Sequence, residues 1–245
     1  MVPSSTSIAG PNTILNTIAA EALDEIATRL EKAKDKNKEV TAIVKETWQK
    51  HSKVVFNGNN YSEEWVKEAA KRGLPNIRSS VEAYAAMANK SAVSLFEKYG
   101  VLSARELHSR FEVYLEQYAK HINIEANASI QMTKTQYLPA VMQYVSELAN
   151  DVTSVKEAGA DVSVQSALLT EISGLLKSAS KKLAALESAT AKAVGTSDAE
   201  KKAEAYRDTV FTAQIELRKD IDALEQILPK SFWPVPTYAD MLFNF

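Results

Sequence analysis

The sequence predicts an all-α protein: an elongated antiparallel helical bundle built around one long kinked helix, with a short helical N-terminal subregion. Three observations predict it. Only seven glycines and seven prolines interrupt 245 residues rich in Ala, Leu, Glu and Lys, the strongest helix formers. From Ser103 to Gly159 apolar residues fall at Leu107, Phe111, Tyr114, Tyr118, Ile122, Ala126, Ile130, Tyr137, Val141, Leu148, Val152 and Val155. That spacing draws one apolar stripe along a helix. Ser103 with Glu106 forms a capping box at its start, and Gly159 supplies a left-handed stop. At 1.5 Å per residue such a helix is roughly 75 Å long, so other long helices must cover it. Pro139 lies inside it and cannot donate to the Thr135 carbonyl, which predicts a bend near Thr135–Leu138 at a cost of roughly 3 kcal/mol.

Taken in order, Met1 to Asn12 is turn-rich and looks cut from something larger. Asn12 or Thr13 then caps a helix whose apolar face is Ile14, Leu15, Ile18, Ala22, Ile26 and Leu30. The charge run Lys32–Lys38 reads as a solvated junction between helices. A shorter helix follows, with Val40, Ile43, Val44 and Thr47-Trp48 as its packing side. Asn57-Gly58 marks a turn after the β-prone Lys53-Val-Val-Phe, which suggests a small hairpin for which no partner strand follows. Ser62-Glu-Glu-Trp65 restarts a helix that Gly73 and Pro75 end. Beyond the long stretch, Asp161–Val194 carries Leu168, Ile172, Leu175, Leu176, Ala179, Leu183, Leu186 and Ala193 at helical spacing. Ser197 or Asp198 caps a third long helix with Ala203, Tyr206, Val210, Ala213, Leu217, Ile221, Leu224 and Ile227 on one side, stopped by Pro229. Short connections make these three helices an antiparallel bundle. The tail from Phe232 to Phe245 is too apolar to stay in water, and should dock on the bundle or on a further domain.

Composition narrows the function. Basic and acidic residues number 29 and 31, a formal net charge of −2, which disfavours a polyanion partner held by bulk charge. The absence of cysteine excludes disulfides, thiolate metal sites and thiol catalysis. No apolar run is long enough to span a membrane and the N-terminus has no signal-peptide pattern, so the expectation is a cytoplasmic protein without a membrane partner.

No residue presents itself for chemistry. His51, His108 and His121 are the three imidazoles, and beyond casual acidic neighbours none has a metal-site partner at i, i+4. Glu63-Glu64 and the pair Asp220 and Asp222 read as solvated helix faces, where a carboxylate lacks the perturbed environment that catalysis needs. Gly58, Gly73 and Gly100 stand alone, without the context of a phosphate loop. Ser91–Arg110 has the outline of a helix-turn-helix around Gly100, but Arg105 and Arg110 alternate with Glu106 and Glu112, so a capped corner between packed helices is the better reading. Tyr114, Tyr118, Tyr137 and Tyr144 at helical spacing read as core, not as a ligand pocket. The expected catalytic, cofactor-binding and metal-binding residues are therefore none.

One stretch goes further. Val54-Val-Phe-Asn-Gly-Asn-Asn-Tyr-Ser-Glu-Glu-Trp-Val-Lys-Glu-Ala-Ala-Lys-Arg-Gly-Leu-Pro-Asn76 resembles the C-terminal region of type III glutamine synthetases. Ser4–Asn12, Leu95–Ser103, Ile122–Ala126, Lys134–Ala140 and Phe232–Phe243 are similar to other blocks of that family in the same order. The resemblance implies three regions: 1–34 as the segment and last helix of the catalytic domain, 35–102 as linking helices, and 103–245 as a three-helix bundle with a docked aromatic tail. It implies a parent enzyme that makes glutamine from glutamate, ammonia and ATP with Mg²⁺ or Mn²⁺, all of whose catalytic elements lie upstream of Ser4–Asn12. The implied role is then structural, with the catalytic domain and neighbouring subunits of a homo-oligomer as partners, and no nucleic acid. The alternatives are a stand-alone helical scaffold or adaptor and, behind it, a DNA-binding regulator.

Overall fold

The computed structural model of the chain describes residues 7–242. Among the described residues there is no strand, in keeping with the all-α expectation. The chain divides into two compact units, Met1–Phe111 and Glu112–Phe245.

In the first unit α1 (Ala9–Lys32) and α2 (Lys36–His51) lie against each other, followed by a 3₁₀ turn at Ser52–Val54 and by α3 (Glu63–Lys71), α4 (Ser80–Met87) and α5 (Lys90–Lys98). α1 begins three residues before the predicted cap, running through Gly10 and Pro11. First-turn N–H groups have no acceptor within the helix, so a proline there loses no hydrogen bond. The later starts follow their caps. Asp35 accepts from the Lys38 N–H, Ser62 from Trp65, Ser79 from Glu82 and Asn89 from Ala92. The suggested hairpin is absent: after Val54 the chain is a loop fastened to α3. Arg72 donates to the carbonyls of Lys53 and Val55 at 3.2 and 2.7 Å, and Phe56 stacks on Trp65 at 4.6 Å. Gly58 leaves room for that stack, because a Cβ would sit 2.7 Å from the Phe56 ring and push it aside.

α6 (Ala104–Met132) starts at the predicted box. The Ser103 N–H donates to Glu106 Oε2 at 2.8 Å and the Glu106 N–H returns to Ser103 Oγ at 3.3 Å. The backbone bond from Ser103, followed by its hydroxyl, lowers the Glu106 pKa. At the place where a bend was expected, near Thr135–Leu138, the helix carries a π turn at Thr133–Tyr137, where the Leu138 N–H reaches back to the Thr133 carbonyl. α7 (Leu138–Glu157) resumes with Pro139 in its first turn, and Gly159 ends it at φ 80° as expected. The wide turn also explains a step in burial: Thr133 and Leu138, both buried, are five residues apart where an α-helix would place three or four.

α8 (Ser163–Val194) packs against both α7 and α10 (Phe211–Ile227), and its short connections keep consecutive helices antiparallel. The third long helix departs from expectation. It is α9 (Ala199–Ala205), a second π turn at Tyr206–Val210, then α10. No proline announces this turn. It coincides with a buried Tyr206, whose hydroxyl donates to Asn123 Oδ1 of α6 at 2.9 Å. Ile172, Leu186, Val210 and Leu224 form the driest part of the core, each 0% exposed. A short helix, α11 (Tyr238–Leu242), lies within the tail.

Candidate functional site

The tail docks on the bundle. After α10 the Leu228 backbone turns extended, and the Trp233 N–H donates to the Pro229 carbonyl at 3.2 Å. This brings Trp233 onto Tyr137 at 5.1 Å and Phe232 onto Tyr144 at 5.1 Å. Burial, followed by the nearby Glu225 charge, raises the Tyr137 pKa. The loop-side end is fixed by charge. Arg218 and Asp222 both bond the Tyr238 hydroxyl, and Lys230 bonds Asp240. Lys230, with the Thr237 N–H and hydroxyl, holds Asp240 at about 2. Residues 243–245, part of the tail that was expected to dock, lie outside the described residues.

The two acids read together from sequence are separated. Asp222 stays with Arg218 and Tyr238. Asp220, expected on a solvated face, is instead buried at 7% exposure and accepts from Lys182 Nζ at 2.6 Å. Its position between Leu217 and Ile221, on the apolar side of α10, was the signal in the sequence. Its second oxygen, Gln214 Oε1 and Trp233 Nε1 are buried without a hydrogen-bond partner among the described residues. Its salt bridge to Lys182 of α8 leaves Asp220 suited to holding α10 on α8.

The histidines are dispersed. His51 ends α2, His108 Nδ1 lies 2.7 Å from the Ala104 carbonyl, and His121 Nε2 lies 2.9 Å from Glu125 on an exposed face. Among the described residues no group of three His, Asp or Glu converges as metal ligands would. Glu63 and Glu64 occupy the first turn of α3. Gly73 and Gly100 have φ of 69° and 60° and terminate helices. The Ser91–Arg110 corner is closed by its own caps, with the Ala104 N–H donating to Glu97 Oε1 at 3.0 Å. Tyr118, Tyr137 and Tyr144 pack on the bundle core.

What the first unit presents is surface. On α1, Leu15, Ile18, Leu23 and Ile26 are 64%, 50%, 67% and 39% exposed. On α2 the predicted packing side is reversed: Ile43 is buried, but Val40, Val44 and Trp48 are 45%, 63% and 62% exposed. The cause is Arg29 of α1. It bonds Glu39 at 2.8 Å and Glu46 at 2.7 Å, and these two carboxylates raise its pKa. That clamp turns the Glu39, Ile43 and Glu46 side of α2 toward α1, and the valine and tryptophan side away.

Comparison with known proteins gives this arrangement a context. Residues 39–156 match the family described as glutamine synthetase C-terminal domain. The chain is 34% identical to the type-3 glutamine synthetase of Dictyostelium discoideum over 99% of its own length and 34% of the relative's. It is 33% identical to a glutamine synthetase of Butyrivibrio fibrisolvens, over 84% of this chain and 30% of the relative, and 28% identical to one of Bacteroides fragilis, over 98% and 34%. The chain thus spans about a third of the length of the curated relatives it matches.

Proposed function

Because the chain belongs to the glutamine synthetase family and corresponds to its C-terminal domain, we propose that it works as the helical C-terminal part of a type III enzyme that forms glutamine from glutamate, ammonia and ATP. Its task in this reading is to support the catalytic region and the contacts between subunits of a homo-oligomer in the cytoplasm. ATP and Mg²⁺ or Mn²⁺ belong to the catalytic region, and no residue of this chain is assigned to them. Among the described residues no helix is long and apolar enough to cross a membrane.

The observation that carries the reading is the bare apolar face of α1. This helix precedes the matched domain at residue 39, yet lies within the similarity to the longer relatives. Its Leu15, Ile18 and Ile26 form an exposed apolar stripe, and a helix that shows such a stripe marks a contact. The catalytic region of the same polypeptide is the partner we assign to it.

Two measurements test this. The isolated chain, given ATP, glutamate, ammonia and Mg²⁺, should form no glutamine, and measurable turnover would overturn the proposal. In a full-length enzyme carrying this domain, Leu15→Asp with Leu23→Asp should reduce the assembled fraction seen by sedimentation. Unchanged assembly would refute the role given to α1.

A further inference from the structure

The outer side of α2 has a different chemistry from that of α1. Val40, Val44 and Trp48 follow one another at i, i+4 and i+8, so they form a stripe two turns long, about 12 Å. Lys36 and Lys45 flank the stripe, and both are exposed. No carboxylate of α2 itself stands on that side, because Glu39 and Glu46 are both bonded to Arg29 on the opposite side. The result is an apolar centre with a cationic rim.

We propose that this face is a docking site for an acidic amphipathic helix of a protein partner, one whose apolar anchors recur at i, i+4 and i+8 with Asp or Glu beside them. The argument is charge complementarity around an apolar stripe. Apolar anchors supply the buried area, while opposite charges at the rim set partner choice and speed of encounter. The short stripe favours a helix over a lipid surface. An interfacial membrane helix buries an apolar face along its whole length, and here the Ile43 side of α2 is already committed to α1. The indole of Trp48 gives the site its largest anchor, a residue type enriched where partners bind.

The test uses the 245-residue chain and two labelled synthetic helices, identical except that glutamates flank the leucine stripe in one and lysines in the other. Fluorescence anisotropy at low salt should show the glutamate helix binding at least ~10-fold more tightly. Its binding should shift the Trp48 emission to the blue, a signal absent in Trp48→Phe. Val44→Asp should weaken binding by ~10-fold or more, and so should Lys36→Glu with Lys45→Glu, with the circular dichroism of each variant unchanged. Equal binding of the two helices, or full binding by either variant, would overturn the proposal. A blue shift with phosphatidylserine vesicles and none with the glutamate helix would also overturn it, in favour of a membrane surface.

Discussion

In the second unit Ile172, Leu186, Val210 and Leu224 lose all contact with solvent, and the tail folds back to lay Trp233 on Tyr137. In the first, Leu15 and Leu23 on α1, and Val44 and Trp48 on the Asp35-capped α2, stay in water. Both units obey the same rules of local structure, so the difference lies in where their apolar residues end up. One unit gathers a continuous core from its own long helices, while single residues such as Ile124 and Val164 stay exposed. The other forms its helices through caps, the Arg29 clamp and the Arg72 staple, and leaves apolar faces over for contacts of its own.

The comparison is sharpest where a substitution should hurt one unit and spare the other. Trp233→Ala, which empties the dock on Tyr137, should cost about 3–5 kcal/mol in chemical denaturation of the chain. Asp220→Ala leaves Lys182 without its partner and should cost about 2–3 kcal/mol, whereas replacing both residues with Leu and Met should recover most of that loss. In the first unit Gly58→Ala drives a methyl into the Phe56 ring, and should cost about 1–3 kcal/mol by loosening the loop from Trp65. Leu15→Asp should change stability by less than about 0.5 kcal/mol, yet it should abolish self-association of the isolated chain in sedimentation at high concentration. A strictly monomeric parent chain would break the comparison.

The smallest effect concerns pH. The Asp240 pKa is depressed from 3.8 to about 2, so its contribution to holding α11 is complete above 4 or so and is lost as pH falls toward 2. Carboxyl NMR should follow that titration, and Asp240→Asn should remove it without moving the main unfolding transition.

Much of this architecture was legible in the sequence, because it is carried by local signals. The Ser103 and Glu106 box, the Gly159 stop, the Asp198 cap and the periodicity of α8 all need only a few neighbouring residues. What was missed depends on partners distant in sequence. Val40, Val44 and Trp48 read as a packing side until Arg29, on another helix, decided which side of α2 turns inward. Asp220 read as solvated until Lys182, 38 residues away, accounted for its burial. The second π turn accompanies a bond between Tyr206 and Asn123 that no window along the chain contains. The candidate surfaces belong to this class, since an exposed face is defined by what fails to cover it.

The π turn before Pro139 has a consequence for length changes. An α-helix advances about 100° per residue, so the extra residue in the wide turn acts as a phase correction. It brings Leu138, Val141 and Leu148 to the side already set by Ala119, Ile122 and Ala126. Deleting one residue from Thr133–Tyr137 would restore a regular hydrogen-bond ladder and leave the later core residues of α7 on the same side, whereas straightening the turn at its present length would rotate each of them by about 100°. The wide turn is therefore the place in this helix where a one-residue deletion is tolerated, and homologues that lack the residue should keep the same apolar pattern downstream, while a deletion within α7 would carry Val141 or Leu148 toward water.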